Sequence, residues 1–251
     1  MSAISISIVV FVCLFFGAML GMFLRFALPE KHLSAESKDA VKVGTGLIGT
    51  MAALLLGLLV ASAKSSFDTK NDELTQIAAR INFLDRVLAN YGPETHETRE
   101  LLRGMLAGMI DHVWPQHGSE PAQLDPAASS GESFYESLHK LTPRTDEQTA
   151  LKSQALGMAI DIGQMRWLLL AQKGSSISTP MLIVVIFWLT TIFVSFGLFA
   201  PSNVTVIATQ LLCALSIAGA VFLVLELDQP FGGLIHISDA SMRSTLDHLG
   251  K

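Results

Sequence analysis

Three long stretches of the chain contain no charged residue. Two of them, residues 4–24 and 43–63, have 21 residues each, and the third has 52 residues between Lys173 and Glu226. A helix needs about 20 residues to cross a hydrocarbon core of about 30 Å. The third stretch is long enough for two crossings, and residues 200–203, which include Pro201 and Asn203, indicate a turn within it. We therefore predict four membrane-spanning helices near residues 4–24, 43–63, 180–199 and 204–226.

Two other interpretations of these stretches are less consistent with the pattern. Buried helical segments of soluble proteins have about 10 to 14 apolar residues, so helices of a soluble core do not explain stretches of this length. The first stretch could instead be a cleaved signal peptide. However, it lacks a basic segment before it, it is too long, and Arg25 follows where a small-residue cleavage site would be expected. A retained helix fits better.

The segment between the second and third spans has the apolar period of amphipathic helices. A first helix is predicted to begin at a cap, Asp68 or Thr69, and to end at the stop signal of residues 90–93. A second ends at Trp114, before Pro115. Residues 115–131 are rich in Pro, Gly, Ser and Ala and predict a loop. A short helix near residues 134–141 and a long one at about 145–172 complete the segment.

Together these elements predict an all-α membrane protein. Its predicted parts are residues 1–64 with the first two spans, a soluble helical domain at 65–178, a hairpin of the last two spans at 179–226, and a tail at 227–251. The soluble helices have one apolar face each, and such helices are stabilised mainly by packing that face. We expect them to form a bundle inserted between helices 2 and 3.

The composition of the chain is also typical of a protein that lies largely within a lipid bilayer. Only 16% of its residues are charged, against about 25% in soluble domains, and the net charge is −5. No basic patch predicts nucleic-acid binding. Lys and Arg are almost balanced on the two sides of the spans, so the positive-inside rule gives little guidance. We expect a bacterial inner-membrane protein with both termini and the acidic helical domain in the cytoplasm.

Small residues follow one face of the second span, at Gly46, Gly49, Thr50, Ala53 and Gly57. In lipid, small residues let helix backbones approach closely, so helix packing is the simpler interpretation of this stripe. A helix that faces water inside an oligomer also favours small and hydroxyl residues, so the stripe is a candidate pore lining. The first span has a second close-packing signature at residues 17–21.

The fourth span ends in an unusual polar element, residues 226–233. Glu226 follows a stripe of small and hydroxyl residues, and it predicts either an anchor at the membrane surface or an acidic ring that favours cations. Asp228, Pro230 and Phe231 then precede two glycines, and Pro230 cannot continue the helix. This element either caps the helix and turns the tail back, or it forms a gate or an ion contact.

No arrangement of residues predicts catalysis or a cofactor. The seven histidines are scattered without metal-ligand spacing, and no phosphate loop, nucleophile elbow or dinucleotide fingerprint occurs. Cys13 and Cys213 both fall inside predicted spans, which does not indicate a disulfide framework. We expect a protein that is not an enzyme and that has no metal or cofactor site.

Several short segments are similar to those of a known family. They are Phe83-Leu84-Asp85-Arg86, Tyr91-Gly92-Pro93, Phe187-Trp188-Leu189, residues 196–203 and residues 226–235. In order and spacing the chain resembles the bestrophin-like family of four-helix membrane proteins, which is remotely similar to bestrophins. Bestrophins are pentameric ion channels with four membrane helices per subunit and a helical cytoplasmic body. The pore-neck motif of bestrophins has no clear match here, so the resemblance assigns no pore residue.

The resemblance implies a homo-oligomeric ion channel, with five subunits if the likeness to bestrophins extends to assembly. The acidic residues at the end of the fourth span favour cations as the permeant species. The alternative is a non-conducting membrane scaffold or sensor whose helical bundle binds a cytoplasmic partner.

Overall fold

The computed structural model describes residues 2–29, 34–114, 128–171 and 177–250, and in these ranges it contains helices and no strand. The α-helices are α1 Ala3–Ala27, α2 Ala35–Tyr91, α3 His96–Val113, α4 Ala128–Lys140, α5 Asp146–Ala171, α6 Thr179–Phe199, α7 Val204–Leu227 and α8 Ala240–His248, with a 3₁₀ turn at Pro93–Thr95 between α2 and α3. The all-α prediction is confirmed.

The chain forms two compact units. The first unit contains residues 1–67 and 175–229, and the second contains residues 68–174 and 230–251. Four helices are long and apolar enough to cross a membrane, namely α1, α2, α6 and α7. The bounds of α1, α6 and α7 agree with the predicted spans to within three residues, and the predicted turn at 200–203 separates α6 from α7. The second unit contains α3, α4, α5, α8 and the C-terminal part of α2.

The predicted break after the second span is wrong. Helix α2 continues without interruption through Asp68 and Thr69, which were the expected caps, and ends only at Tyr91. Residues 64–69 contain neither Gly nor Pro. Starting a new helix requires a costly nucleus, whereas each added residue of an existing helix gains one hydrogen bond, so a weak capping preference does not end it. Gly92, with φ 134°, provides the strong stop that the sequence predicted.

Two further boundaries differ from the predicted ones. Helix α4 begins at Ala128, so residues 128–131 of the predicted loop are helical, while residues 115–127 lie outside the described part. Residues 172–176, which join the last helix of this segment to the third span, lie outside it too. Helix α8 was not predicted at all. It has nine residues and buries only Met242 and Thr245, too few positions to show a helical period in the sequence.

The first unit is built on the close packing of α1 against α6, with further contacts from α1 to α7. The buried residues of α1 recur every three or four positions, from Ala3 to Met22, and so form one face. On that face Gly21 lies against the backbone of α6, and a Cβ atom there would collide with the carbonyl oxygen of Val194. A Cβ on Gly197 of α6 would collide with the carbonyl oxygen of Ala18. The close-packing role predicted for residues 17–21 is confirmed.

Gly21→Ala should therefore destabilise the protein by about 1–3 kcal/mol, because backbone atoms rather than a flexible side chain occupy the space of the new methyl group. Thermal unfolding of the detergent-solubilised protein measures the effect. Gly219→Ala on α7 is the matched control, since no atom lies within 4 Å of a Cβ at that position. Equal unfolding temperatures for the two variants would contradict the assignment.

Candidate functional site

The small-residue stripe of α2 lies on the outside of the first unit. Gly46, Thr50, Ala53 and Gly57 are exposed, and Gly49 is partly buried. The same helix packs on its own unit through a different set of side chains, namely Ala52, Leu55, Leu56, Leu59 and Ala63. The stripe is therefore not the face through which α2 joins the core of its own chain.

The glycines of the stripe have almost no neighbours. A Cβ atom on Gly46 or Gly57 would have no atom within 4 Å, and one on Gly49 would meet only Ile192 Cδ1, at 3.8 Å. Close approach within the chain explains Gly21 and Gly197, but it does not explain these three residues. The stripe leaves an open, smooth helix surface available to lipid, to water or to a second subunit.

Hydroxyl groups of the stripe and its neighbours need no outside partner. Thr50 Oγ1 donates to the carbonyl oxygen of Leu47 at 2.8 Å, and Thr45 Oγ1 donates to that of Val41 at 2.9 Å. Ser216 on α7 bonds to its own helix in the same way. Such bonds satisfy a hydroxyl at low cost inside a bilayer, and they leave its oxygen free to accept from water.

The polar element at the end of α7 is divided between the two units. Glu226 lies in the last turn of α7 and is 5% exposed, and Asp228 is the C-cap residue and partly exposed. Both carboxylates belong to the first unit. Helix α7 ends at Leu227, and the Gln229 amide still donates to the Glu226 carbonyl oxygen at 3.1 Å. The helix thus ends just before the proline that could not continue it.

Pro230 and Phe231 belong to the second unit and form part of a closed loop. The Ile237 amide donates to the Pro230 carbonyl oxygen at 2.8 Å, and Gly233 has φ 89°, a conformation that favours glycine. Trp114, at the end of α3, holds this loop in place. Its ring packs edge-on against Phe231 with centroids 6.2 Å apart, and its Nε1 donates to the Ile237 carbonyl oxygen at 2.7 Å.

A buried ion pair between α2 and α3 was missed by the sequence interpretation. Arg99 donates from Nε and Nη2 to the two oxygens of Asp85 at 2.7 and 2.9 Å, and Asp85 is 3% exposed. These bonds raise the pKa of Arg99 above its ordinary value, so the guanidinium stays charged throughout the usual pH range. The Gly250 amide also donates to Asp85, at 3.4 Å. The C-terminal segment is thereby joined to the centre of the second unit.

One signal in the sequence could have revealed this pair. Asp85 follows Ile81 by four positions and precedes Leu88 by three, so it lies on the apolar face of its helix. Arg99 precedes Leu102 by three positions and has the same relation to the apolar face of α3. A charge on an inward face requires a partner, and two such charges of opposite sign on neighbouring helices predict a pair.

The second unit also contains a cavity of about 670 Å³ between α2, α3, α4 and α5. Its lining includes Met105, Met109, Tyr135, Arg166 and Trp167. Burial lowers the pKa of Arg166. Among the described residues no group of three or more His, Cys, Asp or Glu side chains is arranged to hold a metal ion.

Comparison with known proteins relates the chain to one family. A family model described as the Bestrophin-like domain matches residues 12–242. Two solved structures of a bacterial Bestrophin homolog from Klebsiella pneumoniae have a similar fold. One, with a tryptophan-to-alanine mutation, has a TM-score of 0.70 at 14% identity, and the match covers 99% of this chain and 97% of the other chain. The other, with a tyrosine-to-alanine mutation, has a TM-score of 0.62 at 13% identity, covering 93% and 96%. Among curated proteins, none matches this sequence.

Arg99→Met should destabilise the protein by about 3–5 kcal/mol, because it leaves the Asp85 carboxylate buried without its cation. Chemical or thermal unfolding measures this loss. Replacing both members, Asp85→Leu with Arg99→Met, should recover part of it, since no unpaired charge remains.

Arg80→Met is the matched control for this experiment. Arg80 pairs with Asp161 at 2.8 Å, but the two side chains are 43% and 54% exposed. An exposed pair contributes about 0–1 kcal/mol, so this change should have little effect. A loss of similar size in Arg80→Met and Arg99→Met would show that the burial of the Asp85 pair is not important.

Proposed function

This chain belongs to the bestrophin-like family, and from that premise we propose that it forms a homo-oligomeric ion channel. It is an integral membrane protein with four helices of spanning length and hydropathy. The observation that carries the proposal is the open stripe of α2, at Gly46, Gly49, Thr50, Ala53 and Gly57. A spanning helix whose small residues make no close backbone contact with the described part of its own chain is suited to face an axis shared by several subunits.

Physical chemistry supports this use of the stripe in two ways. Small side chains leave room for a path along the axis, and hydroxyls and backbone carbonyls offer oxygen atoms to a partly dehydrated ion. A lipid-facing helix has no comparable need for small residues. The resemblance to bestrophins further implies an assembly of five subunits around such an axis. The stripe would then line the pore or bring neighbouring α2 helices together beside it.

We further propose that the channel favours cations. Glu226 and Asp228 lie at the end of α7, and a homo-oligomer would repeat these carboxylates once per subunit. A ring of carboxylates attracts cations and repels anions in a narrow path. In this proposal Glu226 and Asp228 contact the ion, and Pro230 and Phe231 act as the gate.

The proposed arrangement in the cell follows from the same elements. Residues 65–178 would form the inserted helical domain in the cytoplasm, with both termini on that side, and the four spans would lie in a bacterial inner membrane. A large acidic helical segment is most simply left on the cytoplasmic side, whereas the short turn at 200–203 carries no charge and is easily moved across the membrane.

One observation favours a second function, that of a non-conducting scaffold or sensor. The second unit exposes large apolar side chains, among them Phe83 at 55% and Trp167 at 63%. Exposed aromatic residues are typical of protein–protein contacts. A cytoplasmic partner could bind this unit, and the four spans would then only anchor it.

Recording from purified protein in planar bilayers tests conduction and the role of the stripe together. The wild-type protein should conduct, and Ala53→Leu should lower its unitary conductance, because a larger side chain from every subunit narrows the path. Ser62→Leu is the matched control. Ser62 is also small and exposed, and nine residues at 100° each place it on the opposite face of α2. The particle mass in detergent is measured for all three proteins.

Two results would contradict the proposal. If the oligomer is intact but no current appears under any applied voltage, the scaffold function is favoured. If Ala53→Leu changes the particle mass while its unitary conductance is unchanged, the stripe is a packing surface and does not line the pore.

Glu226→Gln tests the cation preference. Removal of one negative charge per subunit should shift the reversal potential in a salt gradient towards that of the anion, because fewer cations are concentrated near the path. Asp247→Asn, which removes an exposed carboxylate of α8, is the control. An unchanged reversal potential in Glu226→Gln would remove Glu226 from the selectivity mechanism.

A further inference from the structure

A cavity of about 650 Å³ opens between α2, α6 and α7 of the first unit. It lies at the end where α6 passes into α7, because Phe199, Ala200 and Thr205 are part of its wall. Most of the wall is apolar, including Phe193 and Ile217. Its volume is typical of small-molecule sites, and its wall suits a hydrocarbon chain.

Two lysines stand at the edge of this cavity. Lys38 and Lys42 are four residues apart, so they lie on the same face of α2, and both line the cavity and are exposed. Neither has an ion-pair partner among the residues that the structure describes. Lys42 immediately precedes the uncharged stretch 43–63, which places this pair of cations at the boundary between hydrocarbon and headgroups.

The wall also contains a side-chain amide that has no hydrogen-bond partner among the described residues. Gln210 lies on the inner face of α7, one turn before Ala214, and is 8% exposed. The Thr209 hydroxyl in the same wall donates to the Thr205 carbonyl oxygen of its own helix at 2.9 Å. The Gln210 side chain has no hydrogen bond to any described residue, and it lines the cavity. An amide without a hydrogen bond is costly within a spanning helix. A ligand whose polar atoms reach Gln210 would therefore gain a hydrogen bond and be stabilised in the cavity.

From these observations we infer that the cavity is a binding site for one anionic phospholipid per subunit. One acyl chain occupies the apolar wall, the phosphate lies against Lys38 and Lys42, and polar atoms of the glycerol ester region accept from or donate to Gln210. The arrangement of charge, amide and hydrocarbon wall matches the order of these three parts along a phospholipid. A soluble anion would interact with the two lysines but not with the apolar wall or Gln210. A second protein subunit would have to place an anionic group at both lysines and a polar atom at Gln210.

The inference requires the membrane setting but not conduction, and lipid counting tests it without any current. The full-length protein is extracted in detergent, depleted of lipid and titrated with phosphatidylglycerol, phosphatidylcholine or glycerol phosphate. Native mass spectrometry counts the bound molecules per subunit. We expect one phosphatidylglycerol per subunit, weaker binding of phosphatidylcholine and no binding of glycerol phosphate at the same concentration.

Variants separate the three parts of the site. Lys38→Gln with Lys42→Gln should weaken phosphatidylglycerol binding about tenfold or more, since each lysine near the headgroup contributes separately. Lys64→Gln, at the other end of the uncharged stretch, is the matched control and should leave binding unchanged. Gln210→Leu should weaken both lipids, and Cys213→Trp should exclude both by filling the cavity. The lysine variants change exposed side chains, so they test the site even if Cys213→Trp does not fold.

Three results would overturn the inference. Equal phosphatidylglycerol binding by the wild-type protein and the double lysine variant would show that the lysines do not hold a headgroup. Glycerol phosphate binding as strongly as phosphatidylglycerol would make this a site for a free anion. A change in particle mass caused by the lysine substitutions, without a change in lipid count, would make the face a contact between subunits.

Discussion

The close approach of α1 to α6 determines the arrangement of the first unit. Between helices in lipid the hydrophobic effect gives little attraction, since hydrocarbon tails are as apolar as leucine side chains, so contact depends on backbones coming near each other. Gly21 and Gly197 permit this, because a side chain at either position would collide with the carbonyl oxygen of a residue on the other helix. Helix α7 then packs on α1, and residues of α2 such as Leu59 and Ala63 complete the core.

Water surrounds the second unit in the proposed arrangement, and its packing follows different rules. Apolar faces of α2 and α3 drive its assembly, and apart from Met242 the largest fully buried side chains of this unit are leucine and isoleucine. The ion pair between Asp85 and Arg99 fixes how these two faces are aligned. A buried carboxylate would be costly alone, and two parallel hydrogen bonds from one guanidinium satisfy both of its oxygens. The Gly250 amide completes this cluster from the C-terminal segment.

Residues of the same type therefore have different uses in this molecule, according to what surrounds them. Gly21 provides contact within the chain, whereas no atom of the described residues lies within 4 Å of a Cβ position on Gly57, which remains available to an assembly. The hydroxyl groups of Thr50 and Thr209 bond to their own helices, whereas the Gln210 amide has no hydrogen-bond partner in the part of the chain that the structure describes. The open glycine stripe and the unpaired amide are the two features that point beyond a single chain, the first to further subunits and the second to lipid.

The sequence by itself determined the four spans and most of the other helices, because their signals are local. Uncharged stretches of 21 residues predict spans, and the turn signals that include Gly92 and Pro201 predict where α2 and α6 end. Tertiary structure decided the rest. Nothing local shows that the glycines of α1 face another helix while those of α2 face outward, or that α2 continues through Asp68. Likewise the Gly250 amide that donates to Asp85 is 165 positions away from it in the chain, and Lys42 and Gln210 line one cavity only because the fold places α2 and α7 around it. The physical reason is that hydropathy is a property of each segment, whereas a partner depends on which segments the fold brings together.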